Sequence, residues 1–281
     1  MFSLHLQVRT NPPLYCFTDG TERLSQPPNG QEALLDLLLI QDKRVREADY
    51  FPLPVLDRSK QYHFKRLEIS TTSKKVAFGE RDYEFFPSCF STDFEEVTLK
   101  KVSFTEQNSS QLVHTFLRSA NLKELEIVDS QFLEQDEVIW ECFDRNQLEW
   151  FTWVDNCYER QNVYVFDGQQ IISVIENWLS DRNPKTMFLR IGSYGDSIYY
   201  DVKDDLVEKY GNNEDSGRWI IAHPQVRQAL HVSLPGDGHD LIIESKEAPD
   251  VNRLTKKEME KMPKEQIIKV VLELQRRSAT S

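Results

Sequence analysis

The chain is poor in the residues that build phosphate-binding and catalytic loops. It holds only ten glycines, and none falls in a GxxxxGK[ST], GxGxxG or GxSxG arrangement. That removes the signatures of P-loop, dinucleotide-binding and nucleophile-elbow chemistry, and HExxH is absent as well. The four cysteines, Cys16, Cys89, Cys142 and Cys157, are scattered and form no CxxC, so they read as reduced thiols rather than a disulfide framework. Long apolar runs are missing too. The longest, ALLDLLLI at 33–40, is interrupted by Asp36 and is too short to span a membrane. The opening MFSLHLQVRTNPP has no basic segment followed by a long apolar one, so no signal peptide is expected and a cytoplasmic or nuclear location is. The sequon Asn108-Ser109-Ser110 is then only loop sequence. Basic charge is scarce: 34 Lys and Arg stand against 46 Asp and Glu, a net charge of −12. Such a chain repels phosphate backbones, and nucleic acid and membrane are not expected partners. Basic residues interleave with aromatics only in RSKQYHFKR, 58–66.

What is present is a recurring pattern. FKRLEI, FEEVTL, LKELEI, LEWFTW and the weaker TMFLRI each read apolar-x-x-apolar-x-apolar; only the first position of the last departs, being Thr186. The last two apolar positions of each run share one face of a strand. Their middle positions, 67, 97, 125, 151 and 189, are separated by 30, 28, 26 and 38 residues. A period of about 28 residues lies in the range of helix-containing leucine-rich repeats. Between the runs, Gln111, Leu112, Thr115, Phe116 and Leu117 have helical spacing. Val138, Ile139, Cys142 and Phe143 repeat it within 134–145, as do Ile171, Ile172, Ile175, Trp178 and Leu179 within 169–180. Strand–helix–strand connections of this length place parallel strands side by side. The strict LxxLxLxxN core is not met; Asn156 in LEWFTWVDN comes nearest.

Outside the array, 2–8 and 14–17 read as short strands, 18–30 as loop, and QEALLDLLLIQ, 31–41, as a short buried helix. Segment 42–61 reads as irregular, and a loop is expected at 211–217. RQALHVSLPGDGHDLIIESKE has two alternating runs flanking PGDGH, a hairpin signal. From Pro263, PKEQIIKVVLELQRRS reads as a helix, with Ile267, Val270, Val271 and Leu274 on one face.

The segment from FKRLEIS through FEEVTLKKVSFTEQNSSQLVHTFLRSANLKELEI (64–127) resembles the F-box-associated regions of the large nematode F-box families, of the FTH type. IISVIENWLSDRNPKTMFLRI, 171–191, is similar to the type 2 F-box-associated domain, in which a helix ends in a Trp-centred pair before the next strand; that pair is here Trp178 and Leu179. The resemblance covers 64–191. It implies substrate recognition in a cullin–F-box ubiquitin ligase, with a ubiquitination substrate as the protein partner. No F-box precedes it: FPLPVLD, 51–57, has the prolines but leads into a strand pattern.

The expectation is therefore an α/β protein, an irregular leucine-rich-repeat-like solenoid with a mostly parallel sheet, helices on one side, and a C-terminal hairpin and helix. Residues 1–61 form an N-terminal cap with short strands and one buried helix. Residues 62–245 form the repeat-like domain, and 246–281 a charged linker and helix. The expected function is non-enzymatic protein–protein interaction, with no cofactor and no metal. Strand alternation nominates Glu95, Thr98, Glu124, Glu126, Trp150, Thr152 and Trp153 as the partner-binding residues, with aromatic anchors as the energetic centre. The competing expectations are an enzyme with a site near the 235–240 turn, drawing on His231, His239 and Asp240, and a family remnant without activity. His223, His231 and His239, spaced by eight, would need a further ligand such as Asp237 or Asp240 to hold a metal.

Overall fold

In the computed structural model of the chain, the structure describes residues 2–7, 14–18, 21–25, 35–41, 51–52, 59–71, 90–104, 115–132, 148–158, 168–192, 196–211, 217–234 and 240–247. These belong to two compact units, Met1–Phe166 with Met187–Ser193, and Asp167–Thr186 with Tyr194–Ser281. The architecture is α/β, with a large, mostly parallel mixed sheet.

In the first unit, the five recurring runs are strands β6 (Arg66–Ser70), β7 (Glu96–Lys100), β9 (Glu124–Val128), β11 (Trp150–Val154) and β13 (Phe188–Gly192). Each pairs in parallel with the next. The pairing is in register. Leu67, Val97, Leu125, Phe151 and Leu189 form one row, and Ile69, Leu99, Ile127, Trp153 and Ile191 another, all of them buried. A slip of one residue would turn both rows outward, so burial of the apolar rows fixes the register.

The sheet continues past β6 through β4 (Leu35–Gln41) to β1 (Phe2–Gln7), both parallel. β2 (Leu14–Thr18) then pairs antiparallel with β1, with β3 (Arg23–Leu24) and β5 (Phe51–Pro52) against β2. The helix expected at 31–41 is thus a strand over 35–41. The reason is pairing: a continuous apolar run suits a parallel strand flanked on both sides as well as a buried helix. Leu38 and Ile40 extend the two buried rows beyond Leu67 and Ile69, and Asp36 forms an ion pair with Arg66 on β6.

A second ladder runs beside the first. β8 (Ser103–Phe104), β10 (Gln131–Phe132) and β12 (Cys157–Tyr158) form a parallel three-stranded sheet, again in register. Between the ladders the chain turns the same way each time. Lys101, Asp129 and Asp155, each four residues past a strand's central apolar position, have φ of 56°, 52° and 56°. The next positions, Val102, Ser130 and Asn156, are tied together. Asn156 accepts from the Ser130 amide and donates to the Ile127 carbonyl, both at 2.8 Å, while the Val102 amide donates to Ser130 Oγ at 3.2 Å. Phe132 stacks on Phe104 and on Trp153, with centroids 5.6 and 5.4 Å apart. Of the expected helix around 111–117, residues 115–117 are helical; the helix at 134–145 lies outside the described residues.

The second unit holds helix α1 (Gly168–Ser180), helix α2 (Asp196–Tyr210) and the antiparallel strands β14 (Arg218–Ala222), β15 (Gln228–Ser233) and β16 (Asp240–Glu247). Helix α1 contains four β-branched residues in its IISVI run, poor helix formers, but Ile171, Ile172, Val174, Ile175 and Trp178 are all buried, and packing decides. Trp178 Nε1 donates to the Lys185 carbonyl at 3.0 Å, closing the turn after the helix. Helix α2 is legible only weakly in sequence, because Val202 and Leu206 are the buried apolar residues among its described side chains. Gly211 ends it with φ 86°, the left-handed stop that glycine favours. β15 and β16 confirm the hairpin; its turn, like the C-terminal helix, lies outside the described residues.

Two outcomes test this packing. Leu125→Ala, which empties the middle of the central row, is expected to cost about 2–5 kcal/mol in chemical denaturation, whereas Glu126→Ala beside it costs under about 1 kcal/mol. In the second unit, a Cβ added at Gly168 would lie 2.7 Å from Cγ and 2.8 Å from Cβ of Asp205. Gly168→Ala is therefore expected to destabilise by roughly 1–3 kcal/mol, with only part of the loss recovered by adding Asp205→Ala, which removes the carboxyl but keeps the Cβ at 2.8 Å.

Candidate interaction face

Alternation along the strands sends a second set of side chains to the opposite face of the large sheet. Two rows cross it in register: Arg66, Glu96, Glu124, Trp150 and Phe188, then Glu68, Thr98, Glu126, Thr152 and Arg190. Ahead of them lies a row linked by backbone bonds, in which the Glu95 amide donates to the Lys65 carbonyl at 2.8 Å, Lys123 to Glu95 at 2.8 Å and Glu149 to Lys123 at 2.7 Å.

The sequence-nominated residues divide on this geometry. Trp150 is 44% exposed, the one large hydrophobic exposed among the described residues. It stacks on Phe188 with centroids 4.0 Å apart and planes 21° apart. Glu124 is exposed; Glu95, Thr98 and Glu126 are half-buried. Trp153 is corrected: it lies on the other face, 4% exposed and stacked on Phe132, and can offer a partner nothing. Thr152 shares the open face, but at 7% exposure it too is removed from the contact set. Phe188, which sequence reasoning passed over, joins it. Its signal was present in the register of TMFLRI with LEWFTW, which puts Phe188 opposite Trp150.

The charges of the face are mostly paired. Lys65 lies 3.4 Å from Glu96, Lys100 3.1 Å from Glu126 and Lys123 2.9 Å from Glu95, while Arg66 reaches both Asp36 and Glu96. The hydrogen bond from Lys123 holds the Glu95 carboxyl below the usual carboxylate range. Glu124 is the opposite case. Partial burial, followed by repulsion from Glu96 and Glu149, raises its pKa, against the pull of Lys65 and Arg66. Glu96 stands directly across from it, and like charges so placed destabilise a sheet.

Other sequence candidates are placed elsewhere. His223 is buried with both ring nitrogens used: Nδ1 accepts from the amides of Gln225 and Val226 at 3.1 and 3.2 Å, and Nε2 donates to the Asp181 carbonyl at 2.9 Å. The ring meets Trp178 edge-on at 5.0 Å, so it pins a turn. His231 is half-buried opposite Glu244, and His239 and Asp237 lie outside the described residues. Among the described residues no group of three or more His, Cys, Asp or Glu is placed to hold a metal ion, and no helix is long and apolar enough to cross a membrane. Tyr62 and Phe64, the aromatics of the 58–66 patch, are buried; they meet Phe90 edge-on in the core and cannot present bases with a surface.

No protein-family model, no curated protein and no solved structure matches this chain. The open face therefore has to be read from its own chemistry.

Glu124 gives a pH test. A carboxyl whose pKa is raised on folding holds its proton more tightly in the native state, so stability falls as pH rises from the ordinary carboxylate value through the raised one. Glu124→Gln is expected to raise the melting temperature at pH 7 by about 1–2 °C. The gain should vanish below about pH 4, where wild type carries the proton itself; thermal melts at both pH values measure it.

Proposed function

We propose that the chain is a protein-interaction module that binds its partner through the open face of the parallel sheet, without catalysis. The observation that carries this reading is Trp150, exposed and stacked on Phe188 in the middle of an ordered face. A rigid aromatic surface that the protein leaves uncovered is what interface centres are made of. The same reading takes the first unit as a leucine-rich-repeat-like array. Two parallel ladders in register, a left-handed residue recurring four positions after three successive strand centres, and the Ser130–Asn156 ties all support it, since stacked units with one repeated turn are how solenoids bury a continuous core.

The resemblance of 64–191 to nematode F-box-associated regions extends the proposal to substrate recognition for a ubiquitin ligase. The ligase connection is tested by whether the ligase's F-box-binding subunit co-purifies with the chain.

The face itself is tested by affinity capture with mass spectrometry on wild type, Trp150→Ala and Glu208→Gln, the last an exposed residue of α2. A stoichiometric partner is expected with wild type and Glu208→Gln and is expected to fall at least about tenfold with Trp150→Ala. Equal recovery with all three would place the interaction elsewhere.

A further inference from the structure

We infer that the occupant of this face is a partner segment bearing arginine, its guanidinium laid on the Trp150 ring and paired with Glu124. The inference rests on the interaction reading above and gives that reading a partner chemistry.

Three observations carry it. First, charge is left over on the face, and it has one sign. Lys65, Arg66, Lys100 and Lys123 are each bound to a carboxylate of this chain, and Arg190 is engaged as well. Among the described residues Glu68, Glu124 and Glu149 enter no ion pair. A partner therefore meets carboxylates outside any ion pair, beside Lys65, Arg66, Lys100 and Lys123, which already hold one.

Second, the free carboxylate and the exposed ring are neighbours. Glu124 and Trp150 are in register on adjacent strands, which sets their backbones about 4.8 Å apart. Glu149 precedes Trp150 and bonds back to the Lys123 carbonyl. A cation that settles on the ring is within reach of Glu124 and relieves its repulsion by Glu96.

Third, the shape of the aromatic surface selects the cation. Trp150 and Phe188 lie nearly parallel, 21° apart. They form a stacked pair with a flat outer face, not a box of rings around a central point. Boxes suit quaternary ammonium groups. A flat ring beside a carboxylate suits the planar guanidinium, which stacks and donates in the same plane. Lysine, a compact hydrated charge, gains less from the ring.

The test is fluorescence anisotropy with the full chain and three labelled Gly/Ser-based peptides that differ only in carrying arginine, lysine or citrulline at the same positions. Citrulline keeps the planar shape and removes the charge. The arginine peptide is expected to bind most tightly, the lysine peptide several-fold more weakly, and the citrulline peptide not measurably. Trp150→Ala is expected to weaken the arginine peptide roughly fivefold and Glu124→Gln roughly threefold, while Glu208→Gln leaves it unchanged. Glu124→Gln is a near-isosteric surface change, so its result stands even if Trp150→Ala perturbs the sheet. Equal arginine-peptide affinity in wild type, Trp150→Ala and Glu124→Gln would mean only general attraction to an acidic chain and would overturn the inference, as would equal binding of the citrulline peptide. If the peptides fail while Trp150→Ala still abolishes partner capture, the arginine inference falls and the interaction face stands. If Trp150→Ala leaves capture untouched, the face itself falls.

Discussion

The Lys101 amide donates to the Val128 carbonyl at 3.0 Å, and the Asp129 amide to the Val154 carbonyl at 2.9 Å. These bonds come at the same place in successive strands, and with burial of the apolar rows they set the register on which the first unit depends. The Thr71 amide bonds to the Lys100 carbonyl at 3.1 Å in the same way; at Lys101 and Asp129 the donor is also held at positive φ, an expensive conformation for lysine and a cheaper one for aspartate. The bonds hold each strand in register with the last. The apolar rows then meet side by side on one face, and the row of Arg66, Glu96, Glu124, Trp150 and Phe188 is assembled on the other. The candidate face is thus a by-product of register: no residue in it is near its neighbours in sequence except along a single strand.

That dependence explains the electrostatics. Parallel in-register pairing sets equivalent positions of different units directly opposite one another, so a position that favours glutamate repeats the charge across the sheet. The chain offsets most of this with bridges such as Lys123 to Glu95 and Lys100 to Glu126. Exposed bridges of this kind each contribute little; their effect is to cancel charge locally. Where the alternation lapses, between Glu96 and Glu124, the repulsion stays, and Trp150 stands next to it. A residual carboxylate and an uncovered indole in register make that spot chemically distinct from the rest of the face.

Much of the sheet was legible in the sequence because its rule is simple. Five short runs with period-two alternation and similar spacing can be aligned by eye, and all five are strands. What failed, failed where local pattern is ambiguous. LLDLLLI reads equally as buried helix or as a doubly flanked strand, and only its pairing with β1 and β6 decides. Helix α2 hides because few of its residues need to be apolar. Trp153 and Trp150 could not be separated by composition. Alternation puts them, three positions apart, on opposite faces, with Trp153 beside Phe151 on the apolar side; what the sequence hides is Phe132, which covers Trp153 from a strand too short to recognise, 21 residues earlier. Phe188 was missed for a similar reason, since its role exists only through Trp150.

The most direct test of the account is the register itself. Couplings transmitted through hydrogen bonds, observed in a deuterated sample by long-range HNCO spectroscopy, report which amide is bonded to which carbonyl. The account predicts cross-peaks joining Lys101 to Val128, Asp129 to Val154 and Lys123 to Glu95. Couplings from these amides to carbonyls displaced by one residue, or to strands in a different order, would contradict it, because Glu124 and Trp150 would then no longer share a row.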